Sequence, residues 1–201
     1  MLLNSYGQPT ILKDDETNAS SLEWRDAPMI LCHKDSIFER YFPKYWKGTL
    51  YSSEAIINSV IQSNDQVPWT VPYKSIPLLP SEVFNITLKD GNKIKLTMIP
   101  LFENMMFIIE DEYVKSIVTD NLTPKDLYHL THQKIVRDRI NEGIDVLYIN
   151  DAAYQELEKN DKNPSKFLLR SIAHTVQPAF IKGYFNNPLP QSLLDCCSTH
   201  N

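Results

Sequence analysis

Two histidines have the spacing of metal ligands on a helix. His129 and His132 form an H-x-x-H pair in a helix that we expect to begin at Pro124. Their side chains would lie about 60° apart on one face. Asp126 precedes His129 by about one turn and could complete a set of three ligands. A catalytic metal also needs an open position, and the H-E-x-x-H motif is absent. We therefore expect no metal and no cofactor, with both imidazoles hydrogen-bonded locally beside an apolar seam.

Cys32 is the candidate nucleophile. It ends the short apolar run 27–32, which we expect to form a buried strand. The possible bases are histidines, with Asn150 or Asp151 to orient one of them: His33, His129, His132 and His174. A thiol attacks only where a helix N-terminus or a neighbouring cation stabilises its thiolate, and the sequence guarantees neither. A cysteine hydrolase or transferase acting on an acyl or isopeptide bond is the alternative function. The competing interpretation of Cys32 is a small, buried apolar residue.

Other catalytic motifs are missing. The five glycines stand at positions 7, 48, 91, 143 and 183, which excludes a Walker A loop, a G-x-S-x-G elbow and a kinase glycine loop. Glu110, Asp111 and Glu112 are adjacent carboxylates, but a working acid–base pair faces across a cleft. We interpret this triplet as an acidic turn after a strand. The sequence therefore favours a protein that is not an enzyme.

Charge and hydropathy restrict the partners. The 201 residues include 20 Lys and Arg against 25 Asp and Glu, for a net charge of -5. The cations are spread evenly, so we expect no binding to nucleic acid.

No apolar run approaches the roughly 18 residues of a membrane-spanning helix, and no signal peptide is recognisable. Three cysteines, two of them adjacent, make a poor disulfide framework. We expect a cytoplasmic protein.

Local patterns predict an α+β fold. The segments 83–88 and 93–98 alternate apolar and polar residues around an Asp-Gly turn, which predicts a β-hairpin. A third strand at 105–109 completes an antiparallel meander over about residues 83–109. We expect this meander to pack against several helices, including one that opens at Ser52 and one over 124–141. A further strand is predicted at 144–149.

The composition divides the chain into three parts. Residues 1–21 are polar and are predicted to be a flexible N-terminal arm, and residues 22–177 a single α+β domain. Residues 178–201 form an apolar C-terminal tail with only Lys182 and Asp195 as charges. Because this tail is so apolar, we expect it to pack against its own domain or against a partner protein.

Aromatic residues outside the predicted elements indicate protein binding. Trp69 and Tyr73 lie in a proline-rich segment, and the tail carries Phe180, Tyr184 and Phe185. Such anchors are enriched at the energetic centres of interfaces. We therefore expect a non-enzymatic interaction protein, an adaptor or a chaperone-like subunit of a larger assembly. Small acidic chaperones of bacterial secretion machines share this composition.

Overall fold

The computed structural model describes residues 2–10, 22–33, 46–63, 74–102, 104–119, 124–141, 144–149 and 180–183. Their helices are α1 (Leu22–Arg25), α2 (Glu54–Ser63), α3 (Pro124–His132) and α4 (Lys134–Asn141). Their strands are β1 (Leu2–Leu3), β2 (Pro9–Thr10), β3 (Met29–Ile30), β4 (Thr49–Ser52), β5 (Lys74–Pro77), β6 (Val83–Thr87), β7 (Lys93–Pro100), β8 (Met105–Glu110), β9 (Lys115–Thr119), β10 (Val146–Ile149) and β11 (Phe180–Gly183). The chain divides into two compact units, Met1–Met98 and Ile99–Asn201.

The first unit contains a five-stranded sheet in the order β2-β1-β3-β4-β5. Strand β1 is antiparallel to both of its neighbours, whereas β3, β4 and β5 run parallel. Strands β1 and β2 fall within the segment 1–21 that was predicted as an arm. Strand β4 lies between β3 and β5 and places Leu50 opposite Met29 of β3 and Ser75 of β5, and Leu50 is fully buried.

Helix α2 forms where capping chemistry predicts it. The Ser53 hydroxyl accepts a hydrogen bond from the Ile56 amide at 3.3 Å, as an N-cap residue does. Ile56, Ile57 and Val60 are buried on one face. Ile61 is 46% exposed, because it lies about 40° further round the helix than Ile57.

Side chains complete the hydrogen bonding of the short strands in this unit. The Ser52 hydroxyl donates to the Leu31 carbonyl at 2.7 Å and joins the ends of β4 and β3. The Trp46 indole Nε1 donates to the Ala27 carbonyl, also at 2.7 Å. Both bonds are buried. Gly48 packs beside the second of them, where a Cβ would overlap the Ala27 carbonyl and the indole.

The predicted hairpin is confirmed. Strands β6 and β7 pair antiparallel with Ile86 opposite Ile94. The turn closes with the Leu88 amide donating to the Asn92 carbonyl at 2.7 Å, and Gly91 adopts a φ of 84°, which glycine tolerates without steric cost.

In the second unit, β8 pairs antiparallel with β9, and Ile108 stands opposite Ile117. Strands β9, β10 and β11 then run parallel. Helices α3 and α4 connect β9 to β10, as parallel strands require a crossover. They replace the continuous helix predicted over 124–141. The break is at Gln133, whose amide donates to the Leu130 carbonyl at 3.1 Å in a tighter turn.

The predicted fold class is wrong. The described residues are mostly strands in two sheets, and their helices are few and short. Strands of the second unit follow the order β11-β10-β9-β8, and the predicted meander over 83–109 is not packed against several helices. Strands of two to four residues carry too little alternation to be detected, and parallel pairing between distant segments leaves no local signal.

Among the described residues, no helix has both the length and the apolar character needed to cross a membrane.

Two leucines test where the core of the first unit lies. Replacing the fully buried Leu50 with alanine should lower the free energy of unfolding by about 2–5 kcal/mol, since it removes apolar contacts and leaves a cavity. Leu79, which is 63% exposed, provides the matched control, and L79A should change stability by no more than about 0.5 kcal/mol. Urea denaturation followed by circular dichroism measures both. An equal loss of stability in L50A and L79A would contradict this position of the core.

Candidate functional site

The turn that leads into β8 is fixed by a buried carboxylate. The Leu101 amide donates to the Asn104 carbonyl at 2.8 Å and closes the turn. The Phe102 amide donates to Oδ1 of Asp126, also at 2.8 Å. Asp126 lies in the first turn of α3 and is 1% exposed. The helix dipole favours a carboxylate there, and the hydrogen bond offsets part of the cost of burying it.

The side chain on this fixed backbone points to solvent. Phe102 is 64% exposed, and its ring packs against the imidazole of His129, with centroids 5.5 Å apart and planes tilted by 53°. His129 follows Asp126 by three residues on α3, so one helix holds both the backbone and the ring of Phe102. We name Phe102 and His129 the aromatic corner.

The aromatic corner places an exposed apolar ring beside an exposed imidazole. Aromatic rings in tilted contact stabilise each other beyond the area that they bury, so the Phe102 ring has a preferred position before any ligand arrives. Its exposed part is apolar, and the exposed imidazole beside it offers a hydrogen-bonding group. A partner could therefore bury the ring and satisfy the imidazole in one contact.

The three candidate metal ligands do not come together as ligands. Asp126 is buried and accepts the Phe102 amide, whereas His129 and His132 are exposed. Within the part of the chain that the structure describes, no group of three or more His, Cys, Asp or Glu residues could hold a metal ion.

Cys32 lies directly after β3 and Leu31. It is a thiol rather than half of a disulfide, and the residue is 3% exposed. A nucleophile must meet its substrate, so this burial suits the interpretation of Cys32 as a small apolar residue. His33 is half-buried beside it in sequence. The other proposed groups, His174, Asn150 and Asp151, lie outside the described residues.

The acidic triplet lies at the end of β8: Glu110 is the last residue of the strand, and Asp111 and Glu112 follow it in the predicted turn. Oδ1 of Asp111 accepts the amides of Tyr113 at 2.7 Å and Val114 at 2.6 Å. Nη1 of Arg139 donates to both carboxylate oxygens of Glu110 at 3.0 Å, a charge-assisted contact that connects α4 to the end of β8.

Lys115 approaches the same Glu110 carboxylate at 3.1 Å. These carboxylates connect elements of the fold and do not face each other across a cleft.

Most of the predicted binding residues fall outside the described residues: Trp69, Tyr73, Tyr184 and Phe185. Phe180 begins β11 and stands opposite Val146 of β10. Their role in binding stays a prediction. Sequence reasoning missed Phe102, because its exposure and its contact with His129 depend on a turn and a helix that are distant in sequence.

No protein-family model matches the chain, and no curated protein matches it. Three solved structures resemble part of it. The first is Zn²⁺-bound PqqB from Methylobacterium extorquens, at 14% identity and a TM-score of 0.42, covering 67% of this chain and 52% of that one. The second is a protein of unknown function from Enterococcus faecalis V583, at 11% identity and a TM-score of 0.44, covering 68% and 34%.

The third is the apo state of the chemotaxis sensor ODP from T. denticola, at 18% identity and a TM-score of 0.35, covering 53% of this chain and 44% of that one. The chain thus spans about half the length of PqqB and about a third of the Enterococcus protein. These likenesses are weak and assign no function to this chain.

The buried carboxylate is tested by substitution at Asp126. D126A should lower the free energy of unfolding by about 1–3 kcal/mol, because the Phe102 amide loses its acceptor in a buried setting. D126N retains a side-chain oxygen and should lose less. The exposed Asp138 on α4 provides the control, since D138A should leave stability nearly unchanged. Urea denaturation ranks the three variants, and a D126A as stable as D138A would refute this anchoring.

The burial of Cys32 is tested by its alkylation rate. In the folded protein near neutral pH, Cys32 should react with iodoacetamide at least about tenfold more slowly than a cysteine in an unstructured peptide, because reaction needs an accessible thiolate. Peptide mapping by mass spectrometry assigns the label to Cys32, and urea should restore the peptide rate. A rate above that of the peptide would instead support the cysteine hydrolase or transferase.

Proposed function

We propose that this protein is a non-enzymatic protein–protein interaction protein, an adaptor or a chaperone-like subunit of a larger assembly. The observation that carries the proposal is the aromatic corner: Phe102 is 64% exposed on a backbone that Asp126 fixes. Large aromatic side chains are enriched among residues that dominate binding energy. A ring that is ordered before binding loses less conformational entropy when a partner buries it.

The proposal extends to two segments that sequence predicts as binding elements. They are the proline-rich segment with Trp69 and Tyr73, and the C-terminal tail with Phe180, Tyr184 and Phe185. Their support is compositional: aromatic anchors in segments of low charge. A reducing cytoplasm is the proposed compartment, supported by the odd cysteine count and by the thiol form of Cys32.

A comparison of two exposed aromatic residues tests the proposal. Proteins captured by affinity purification of the full chain are identified by mass spectrometry, and their affinities are then measured with purified components. F102A should weaken at least one of these complexes by about tenfold or more, as loss of an interface anchor does. Tyr113 is 83% exposed at the other end of β8, so Y113A should bind like the unchanged protein.

The tail is tested separately. The double variant Y184A/F185A leaves β11 in place and should weaken the same or a second complex. Circular dichroism shows that each variant is folded before its affinity is measured. If F102A and Y184A/F185A both retain every interaction of the unchanged chain, the protein-binding function is wrong.

A further inference from the structure

A cleft of about 260 Å³ opens within the first unit. Two hairpin turns line it, the β1–β2 turn and the β6–β7 turn, together with the segment between α1 and β3. Buried apolar side chains contribute to its lining: Leu3, Ala27 and Leu88. Pockets for drug-sized ligands occupy roughly 300–1,000 Å³, so this cleft suits a smaller molecule.

The β1–β2 turn is fixed before any ligand arrives. Oδ1 of Asn4 accepts the amides of Tyr6 at 3.0 Å and Gln8 at 2.9 Å. The Asn4 carbonyl accepts the amide of Gly7 at 2.9 Å. This network sets the positions of Asn4 and Ser5, which both line the cleft.

The second turn is tied to the first. The Asn92 side-chain amide donates to the Ser5 carbonyl at 3.1 Å. Gly7 has a φ of 76°, and a Cβ there would lie 2.7 Å from Cγ2 of Ile94 and 3.6 Å from Cδ1 of Leu88. Glycine therefore lets the turns approach each other, and the two walls of the cleft are held as one piece.

The charges around the cleft are mixed. Asp26, Lys89 and Asp90 line it with exposed side chains. Two carboxylates and one ammonium give a formal charge of −1, which favours a positive group on the ligand, and the lysine offers a partner for a negative one. The buried apolar side chains offer contact for a short hydrocarbon part.

We propose that this cleft binds a small zwitterion of the amino-acid type. Its ammonium group lies between Asp26 and Asp90, its carboxylate at Lys89, and its hydrocarbon part against Leu3 and Leu88. A simple anion would meet two carboxylates of its own sign. A divalent metal would meet the ammonium group of Lys89, a charge of its own sign. The zwitterion uses every charged group of the lining.

Titration of the full chain with each of the twenty free L-amino acids tests the proposal. Amide chemical shifts in ¹⁵N-labelled protein should change saturably at Ser5, Leu88 and Asp90 for at least one of them. For each amino acid that binds, the N-acetyl derivative lacks the ammonium group and should bind at least about tenfold more weakly. The decarboxylated amine should also bind more weakly, because it no longer engages Lys89.

Substitutions of the charged lining residues show which side chain contacts which group of the ligand. D26N and D90N should each weaken binding several-fold, and D90N keeps favourable hairpin-turn chemistry because an Asn-Gly pair suits the same turn as Asp-Gly. K89M should weaken binding of the amino acid but not of the corresponding amine. E82Q changes an exposed carboxylate that does not line the cleft and should bind normally. The spectra themselves show whether each variant is folded.

Three outcomes would overturn the proposal. The first is the absence of a saturable shift at the cleft with all twenty amino acids. The second is equal binding of an amino acid and its N-acetyl derivative. The third is unchanged affinity in both D26N and D90N. None of these measurements involves a protein partner. If the proposal of an amino-acid site is overturned, the proposed protein-binding function is therefore unaffected.

Discussion

Buried peptide groups must find hydrogen-bond partners, and strands of two to four residues supply few of them. In the first unit, polar side chains make up the difference. Ser52 donates to the carbonyl of Leu31, and the Trp46 indole donates to that of Ala27. Leaving one such group unpaired in the interior costs about 1–3 kcal/mol, comparable to the loss of a buried apolar contact. Polar side chains beside the short strands therefore stabilise this sheet in addition to its apolar core.

The same requirement produces a surface in the second unit. Asp126 satisfies the amide of Phe102 from a buried position, and the ring carried by that residue is left in solvent against His129. Ordinary packing would turn a phenylalanine inward, because burial of its side chain is favourable by about 1.5–3 kcal/mol. The turn thus keeps an apolar ring in solvent, as the protein-binding function that we propose would require.

Local chemistry was enough to predict some elements and not others. The Asp90-Gly91 turn and the flanking alternation gave the β6–β7 hairpin, and Ser53 with Glu54 gave the start of α2. The fold class was wrong because β1, β2 and β4 are too short to show a period, and because the parallel pairing of β3 with β4 depends on residues some twenty positions away. The aromatic corner and the cleft were invisible for the same reason. The corner joins a turn to a helix, and the cleft joins two hairpin turns to the segment 26–28, so each depends on residues that are distant in sequence.

The parallel pairing of β11 with β10 has a consequence for how the chain acquires its structure. Residues 150–179 separate the two strands, so the entropy of bringing the two ends of that segment together must be overcome before the first hydrogen bond of the pair forms. Contacts so distant in sequence slow folding. On the ribosome, β10 would emerge well before β11 and expose an unpaired edge, which can recruit other chains. The rate of synthesis and the presence of molecular chaperones should therefore change how much folded protein is obtained. They should not change the stability of the protein once it has folded.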